Sequence, residues 1–209
     1  MKKFGKIIFL ACGLLLTLAA FPVFAQKNVE INRKPLQDFS EYVLQMITEK
    51  KVDLTKPFLV ELRGVLTKEG KLDPRMAAFT KSEGDAEMIK IGKSFIEAIN
   101  ASGFFAYLSE LGVDRINFAL SQDENRFTGV IKSEVATSER AKITASGLRS
   151  YFKAAQIQIK DEDDKLLLSY FDVTANDKNF VITFVAPREE IQRLVEKNLE
   201  KMTTKASSK

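Results

Sequence analysis

Apolar and polar positions alternate with the period of a strand at Phe58, Val60 and Leu62, set against Leu59, Glu61 and Arg63. Lys68-Glu69-Gly70-Lys71 then predicts a tight turn, with Gly70 supplying the positive φ. A weaker β-run follows over about Met76 to Ser82, with Asp73-Pro74 marking a bend or bulge before it. The period then lengthens. Met88, Ile91, Phe95, Ile96 and Ile99 recur at helical spacing behind a start at Ser82 or Asp85, and Gly103 ends the run. Gly92 lies inside that apolar stripe, which predicts a close approach of helix to sheet. Phe104 to Leu111 reads as a short further helix ended by Gly112.

Ile116, Phe118 and Leu120 share one face of a third strand, Arg115 to Ser121. Gln122 to Asn125 is a turn, and Phe127 to Glu134 makes a fourth strand hairpinned to the third. Thr137 or Ser138 caps a long helix to about Gln156, and Asp161 to Asp164 opens another to about Tyr170. Phe171 to Ala175 turns at Asn176-Asp177-Lys178 into Phe180 to Val185. That last run is nearly all apolar, β-branched or aromatic, and predicts a central strand covered on both faces. Pro187 suits the first turn of a final helix whose apolar stripe is Ile191, Leu194, Val195, Leu199 and Met202. At the other end, Leu36, Phe39, Val43, Leu44 and Ile47 place an amphipathic helix between Pro35 or Asp38 and Glu49. Three hairpins separated by helices predict an α+β fold: a mostly antiparallel sheet with helices packed on one face.

The first residues change the picture of where this domain works. Met1-Lys2-Lys3-Phe4-Gly5-Lys6 precedes an apolar run from Ile7 to Phe24, ending at Ala25 before Gln26. This is the order of a secretory signal peptide, with cleavage after Ala25. An uncleaved signal anchor is one alternative, and a lipoprotein signal using Cys12 is another. The expected organisation is a signal over 1–25, a short polar lead over 26–34, one α+β domain over 35–202 and a disordered polar tail over 203–209. The expected location is the periplasm or the exterior, or the inner membrane if the leader is retained.

Of the 32 basic side chains, Lys2, Lys3 and Lys6 lie in that leader, so the exported chain carries 29 against 28 acidic ones. The sequence pI of about 9.0 therefore supports no nucleic-acid or anionic-membrane partner. Cys12 is the only cysteine, so the exported chain forms no disulfide, and 45% hydrophobic residues with 16 Phe must hold it together. The absence of histidine excludes imidazole acid–base catalysis, histidine metal ligands and the Ser-His-Asp triad.

Several motifs remain to be weighed. Ser150-Tyr151-Phe152-Lys153 matches S-x-x-K, but the pair sits late in a helix and no K-T-G strand accompanies it. Asp161-Glu162-Asp163-Asp164 lacks the alternating oxygens and glycine of a calcium loop, and reads as acids favoured at a helix start. Gly64, Gly70 and Gly84 form no phosphate loop. Phe104, Phe105 and Tyr107 fit core packing better than an apolar groove. No catalytic residue, metal ligand or cofactor follows from the sequence, and the expectation is a protein that is not an enzyme.

The stretch Pro57 to Ser121 carries a resemblance. Leu59-Val60-Glu61-Leu62, Gly70-Lys71-Leu72, Ser82-Glu83-Gly84-Asp85, Ala98-Ile99 and Ile116-Asn117-Phe118, in the order strand, turn, strand, helix, strand, resemble the C-terminal domain of TonB and TolA proteins. The resemblance covers roughly a third of the chain, residues 57–121. It implies a periplasmic module that grips a protein partner of the cell envelope, a short partner segment adding as a strand beside the third strand. On that basis the expected partner-binding edge is Ile116, Phe118, Leu120, Phe127 and Val130. The implied function is a protein-binding module of an envelope transport or energy-transduction system. The phenylalanine content motivates a different reading, a soluble carrier or sensor of a small apolar ligand. Paired acids converging in a cleft would make a carboxylate enzyme, a third class.

Overall fold

The computed structural model describes residues 32–206. The expected signal over 1–25 lies outside the described residues. Twelve elements follow in order: α1 (Lys34–Thr48), β1 (Phe58–Val65), β2 (Ala78–Gly84), α2 (Ala86–Ser102), α3 (Phe104–Glu110), β3 (Arg115–Gln122), β4 (Arg126–Glu134), α4 (Ser138–Gln158), α5 (Glu162–Ser169), β5 (Phe171–Asn176), β6 (Asn179–Pro187) and α6 (Arg188–Ala206). The fold is α+β, as the hairpin pattern implies. All six strands join one antiparallel sheet in the order β2-β1-β3-β4-β6-β5.

The helix ends are fixed by local chemistry. The Asp85 carboxylate accepts from the backbone N–H groups of Glu87 and Met88 at 3.1 and 3.0 Å, so α2 starts there. Ser82, the other possible start, belongs to β2. Gly103, at φ 83°, closes α2 and opens α3, and Gly112, at φ 84°, follows the end of α3. Thr137 Oγ1 accepts from Arg140 N at 3.1 Å at the start of α4. Asp161 Oδ1 accepts from Asp163 N at 3.0 Å at the start of α5.

The sheet has one buried face. Register carries a single set of side chains across it: Phe58, Val60 and Leu62 of β1, Ile116, Phe118 and Leu120 of β3, Ile131 and Ser133 of β4, Phe180, Ile182, Phe184 and Ala186 of β6, and Val173 of β5. Against these pack Met88, Ile91, Phe95, Ile96 and Ile99 of α2, Phe105 and Leu108 of α3, Ala141, Ala145, Leu148 and Phe152 of α4, and Leu36 and Phe39 of α1. Leu167 of α5 and Leu194 of α6 join Phe184 and Ala186 in a smaller cluster. Phe127 bridges the two clusters, its ring 6.4 Å from that of Phe58 and 6.1 Å from that of Phe184. Gly92 stands over Phe58 and Val60, which is the close helix–sheet approach expected from its place in the stripe.

The structure corrects four expectations. β6 is an interior strand, but its burial alternates along its length, so it is covered on one face only. Its odd-numbered residues Val181, Thr183 and Val185 are half-buried by their own cross-strand neighbours and by no helix of the described residues. Pro187 ends β6 rather than starting the helix. The last helix continues past Met202 to Ala206, so residues 203–206 are not a disordered tail. Finally, β2 begins and ends two residues later than its apolar pattern suggests. The chain after Gly70 makes a further turn, with Met76 N donating to Asp73 O at 3.0 Å, before β2 can pair with β1.

Candidate functional site

The residues expected to form a partner-binding edge do not lie on one. β3 is flanked on both sides, by β1 and β4, and β4 lies between β3 and β6. Ile116, Phe118 and Leu120 are buried on the helix-covered face. Phe127 packs its ring between Phe58 and Phe184. Val130 alone of the five points to the other face, where it is half-buried. The reason is the β3–β4 hairpin: the chain's own fourth strand fills the position beside the third.

Among the described residues the free edges are β2 and β5, and they differ. β5 is backed by α4, with the rings of Phe152 and Phe171 5.1 Å apart. Its Asp172 carboxylate accepts the backbone N–H of Val173 at 2.8 Å, so part of that edge is already satisfied from within. β2 is exposed at six of its seven residues, Phe79 being half-buried, which leaves its backbone open to a second strand.

The direction of the β2 backbone follows from one bond. Asp85 N donates to Pro57 O at 3.0 Å, across the end of the β1–β2 ladder. Backbone groups alternate sides with a period of two, so Glu83 and Lys81 turn their amides toward β1. Ser82 and Gly84 therefore turn theirs outward. Toward the N-terminal end of β2 the register slips: Glu61 faces Lys81 and Leu62 faces Phe79, leaving Thr80 as the extra residue of a bulge. A strand added at this edge meets regular backbone over Lys81–Glu83, between the bulge at Thr80 and Gly84, whose φ is 102°.

Side chains frame that edge on both sides. On the uncovered face Lys81 Nζ lies 3.2 Å from Glu83 Oε2, with Glu61 directly opposite Lys81 on β1. Toward the helices, Lys93 Nζ of α2 stands 5.0 Å from the ring centre of Phe79. The uncovered face continues inward from the edge through Leu59, Ser121, Thr128 and Val185 in one cross-strand row, and through Glu61, Ala119, Val130, Thr183 and Asp172 in the next. Between their ends these two rows are uncharged; the next row, Arg63, Asn117, Lys132 and Val181, puts a charge on the central strand β4.

The other sequence motifs settle into structural roles. Ser150 and Lys153 are both exposed in the second half of α4. Asp161 caps α5, and Asp163 takes ion pairs from Arg193 and Lys197, tying α5 to α6. Among the described residues no group of three Asp, Glu, Cys or His side chains is placed to hold a metal ion. Phe104 and Phe105 are buried in the core. Beside them Tyr107 is held neutral above the usual tyrosine range, first by burial and then by Glu110. Burial does the same, more strongly, to Tyr151, with Tyr107 adding to it. No described helix is long and apolar enough to cross a membrane.

Sequence reasoning missed the β2 edge because that strand's own pattern is weak. The usable signal was elsewhere: two strong strands, β3 and β4, joined by a short turn and therefore occupying each other's edges. No family model, characterised protein or solved structure matches this chain.

Proposed function

We propose that this protein is an exported, non-enzymatic binding module of the cell envelope that takes an extended protein segment along β2. The observation that carries the reading is the exposed β2 edge, with the Ser82 and Gly84 amides turned outward. The basic, apolar, small-residue order of residues 1–25 supports export. The order over 58–122, strand, turn, strand, helix, a second short helix and strand, supports the likeness to the TonB and TolA C-terminal domains. The proposed strand position differs from the one that likeness implies, because β4 occupies it. Service in a transport or energy-transduction system is the wider setting this reading favours.

A photo-crosslinking side chain at Glu83, in cells that express the protein, tests it. The reading expects a covalent adduct with a protein, lost when Ser82 is changed to Pro. Proline removes the outward N–H and no ladder bond, so the fold survives the change. A crosslinker at Thr174 on β5 should give no such adduct. Adducts at Glu83 that persist in Ser82→Pro contradict strand addition. N-terminal sequencing checks the export half: a start at Gln26 supports it and an intact Met1 contradicts cleavage.

A further inference from the structure

We propose that the segment which pairs with β2 is β2 of a second copy of this chain, the two strands running antiparallel about a two-fold axis at Ser82. The proposal rests on the strand-addition reading above and names its partner. The outward backbone groups are those of Ser82 and Gly84, with Thr80 at the bulge, so a symmetric pairing can centre on Thr80, Ser82 or Gly84, or on Lys81 or Glu83 between them, which sets that charge against its own copy. Centred on Gly84, the pairing sets Glu83 against Asp85 of the other copy, acid on acid. Centred on Thr80, it sets Lys81 against Phe79 and leaves Glu83 beyond Ala78. Centred on Ser82, it sets Lys81 against Glu83, and by symmetry Glu83 against Lys81.

Only the last register pairs both charges. Lys81 and Glu83 already share the uncovered face, 3.2 Å apart within one strand, so their partners arrive on the same side. The same pairing places Ser82 opposite Ser82 and Thr80 opposite Gly84, all small. Bulges and edge lysines commonly keep strands apart. Here the bulge at Thr80 and the positive φ of Gly84 confine regular pairing to Lys81–Glu83, and Lys81 meets Glu83 only in the register centred on Ser82. The product is a continuous twelve-stranded sheet with both uncovered faces on one side. So short a contact makes a concentration-dependent dimer rather than a permanent one.

The test is mass against concentration for the full chain as recovered from expressing cells, by sedimentation equilibrium. The wild-type chain should dimerise as concentration rises. Lys81→Glu alone sets two acids against two acids, and Glu83→Lys alone sets two bases against two bases. Each should dimerise about tenfold more weakly. Mixed in equal amounts, the two variants should form a heterodimer, because every 81–83 contact then joins an acid to a base. No effect confined to one chain produces that rescue. Ser82→Cys adds a covalent reading: under oxidation it should give a disulfide-linked dimer, and Thr174→Cys should not.

A wild-type chain that stays monomeric at the highest concentration, or a mixture no tighter than its parts, overturns the second copy as partner. The strand-addition reading then stands on the Glu83 crosslink alone: an adduct with another protein keeps it, and no adduct ends both.

Discussion

A methyl group placed on Gly92 would come 2.9 Å from Cε2 of Phe58. It would also come 3.2 Å from Cγ2 of Val60, so α2 rests on β1 with no room for a side chain. Phe58 and Val60 are themselves nearly fully buried and cannot step aside. Gly92→Ala should therefore destabilise the fold by about 1–3 kcal/mol, despite alanine's better helix propensity. Gly147 in α4 offers the opposite case, with nothing within 4 Å of the added atom. Gly147→Ala should raise stability by about 0.5–1 kcal/mol. Denaturant midpoints of the two variants check both signs in one experiment.

Asp85 holds the boundary between the candidate binding strand and the helix behind it. Its carboxylate satisfies two backbone N–H groups of α2. Asp85→Ala should cost about 1 kcal/mol by loss of the cap, and Asp85→Asn considerably less. The same denaturant measurement decides this. An Asp85→Ala variant as stable as wild type would mean that α2 starts without its cap.

Ser133 is fully buried on the helix-covered face of β4, opposite Ile116 and Phe180, and its hydroxyl has no hydrogen-bond partner among the described residues. A buried hydroxyl without a partner costs free energy. Ser133→Ala should leave stability unchanged or raise it by up to ~1 kcal/mol. A clear loss in thermal or chemical unfolding would show that the hydroxyl is satisfied in solution.

The tyrosines give a pH dependence with a definite sign. Tyr107 is held protonated in the folded state by burial first and then by Glu110, and Tyr151 by burial first and then by Tyr107. Unfolding releases both to the ordinary tyrosine value of about 10. Above that pH the unfolded chain binds fewer protons than the folded one, so stability falls as pH rises. Below it the contribution is fully present and flat. Unfolding free energy measured across the alkaline range should decline from about pH 10 upward. Tyr151→Phe should shallow that decline.

Much of this fold is legible in the sequence, and the limit is physical. Strong strands such as Phe58–Val65 and Asn179–Pro187 have the period and the β-branched or aromatic content that declare them. Helix caps at Asp85, Thr137 and Asp161 stand where the residue types put them. What local pattern cannot encode is which neighbour a strand finds. Val181, Thr183 and Val185 are as apolar or β-branched as residues under a helix, yet they lie on an uncovered face, so β6 reads as covered on both sides. Phe118 reads as an edge residue when Pro57 to Ser121 is taken alone, and becomes interior once Ile131 pairs against it. β2 is polar on nearly every residue, so its role as the open edge emerges only from the sheet order.

The central claim is that β2 receives a strand through its outward amides. Residue-resolved hydrogen exchange measures those amides directly, on the chain alone at high dilution and again at high concentration or with whatever protein the Glu83 crosslink captures. The expected result is slowed exchange at Ser82 and Gly84 in the associated state, with Thr174 on the far edge unchanged. Association that leaves Ser82 and Gly84 exchanging as fast as in the dilute chain would contradict the account.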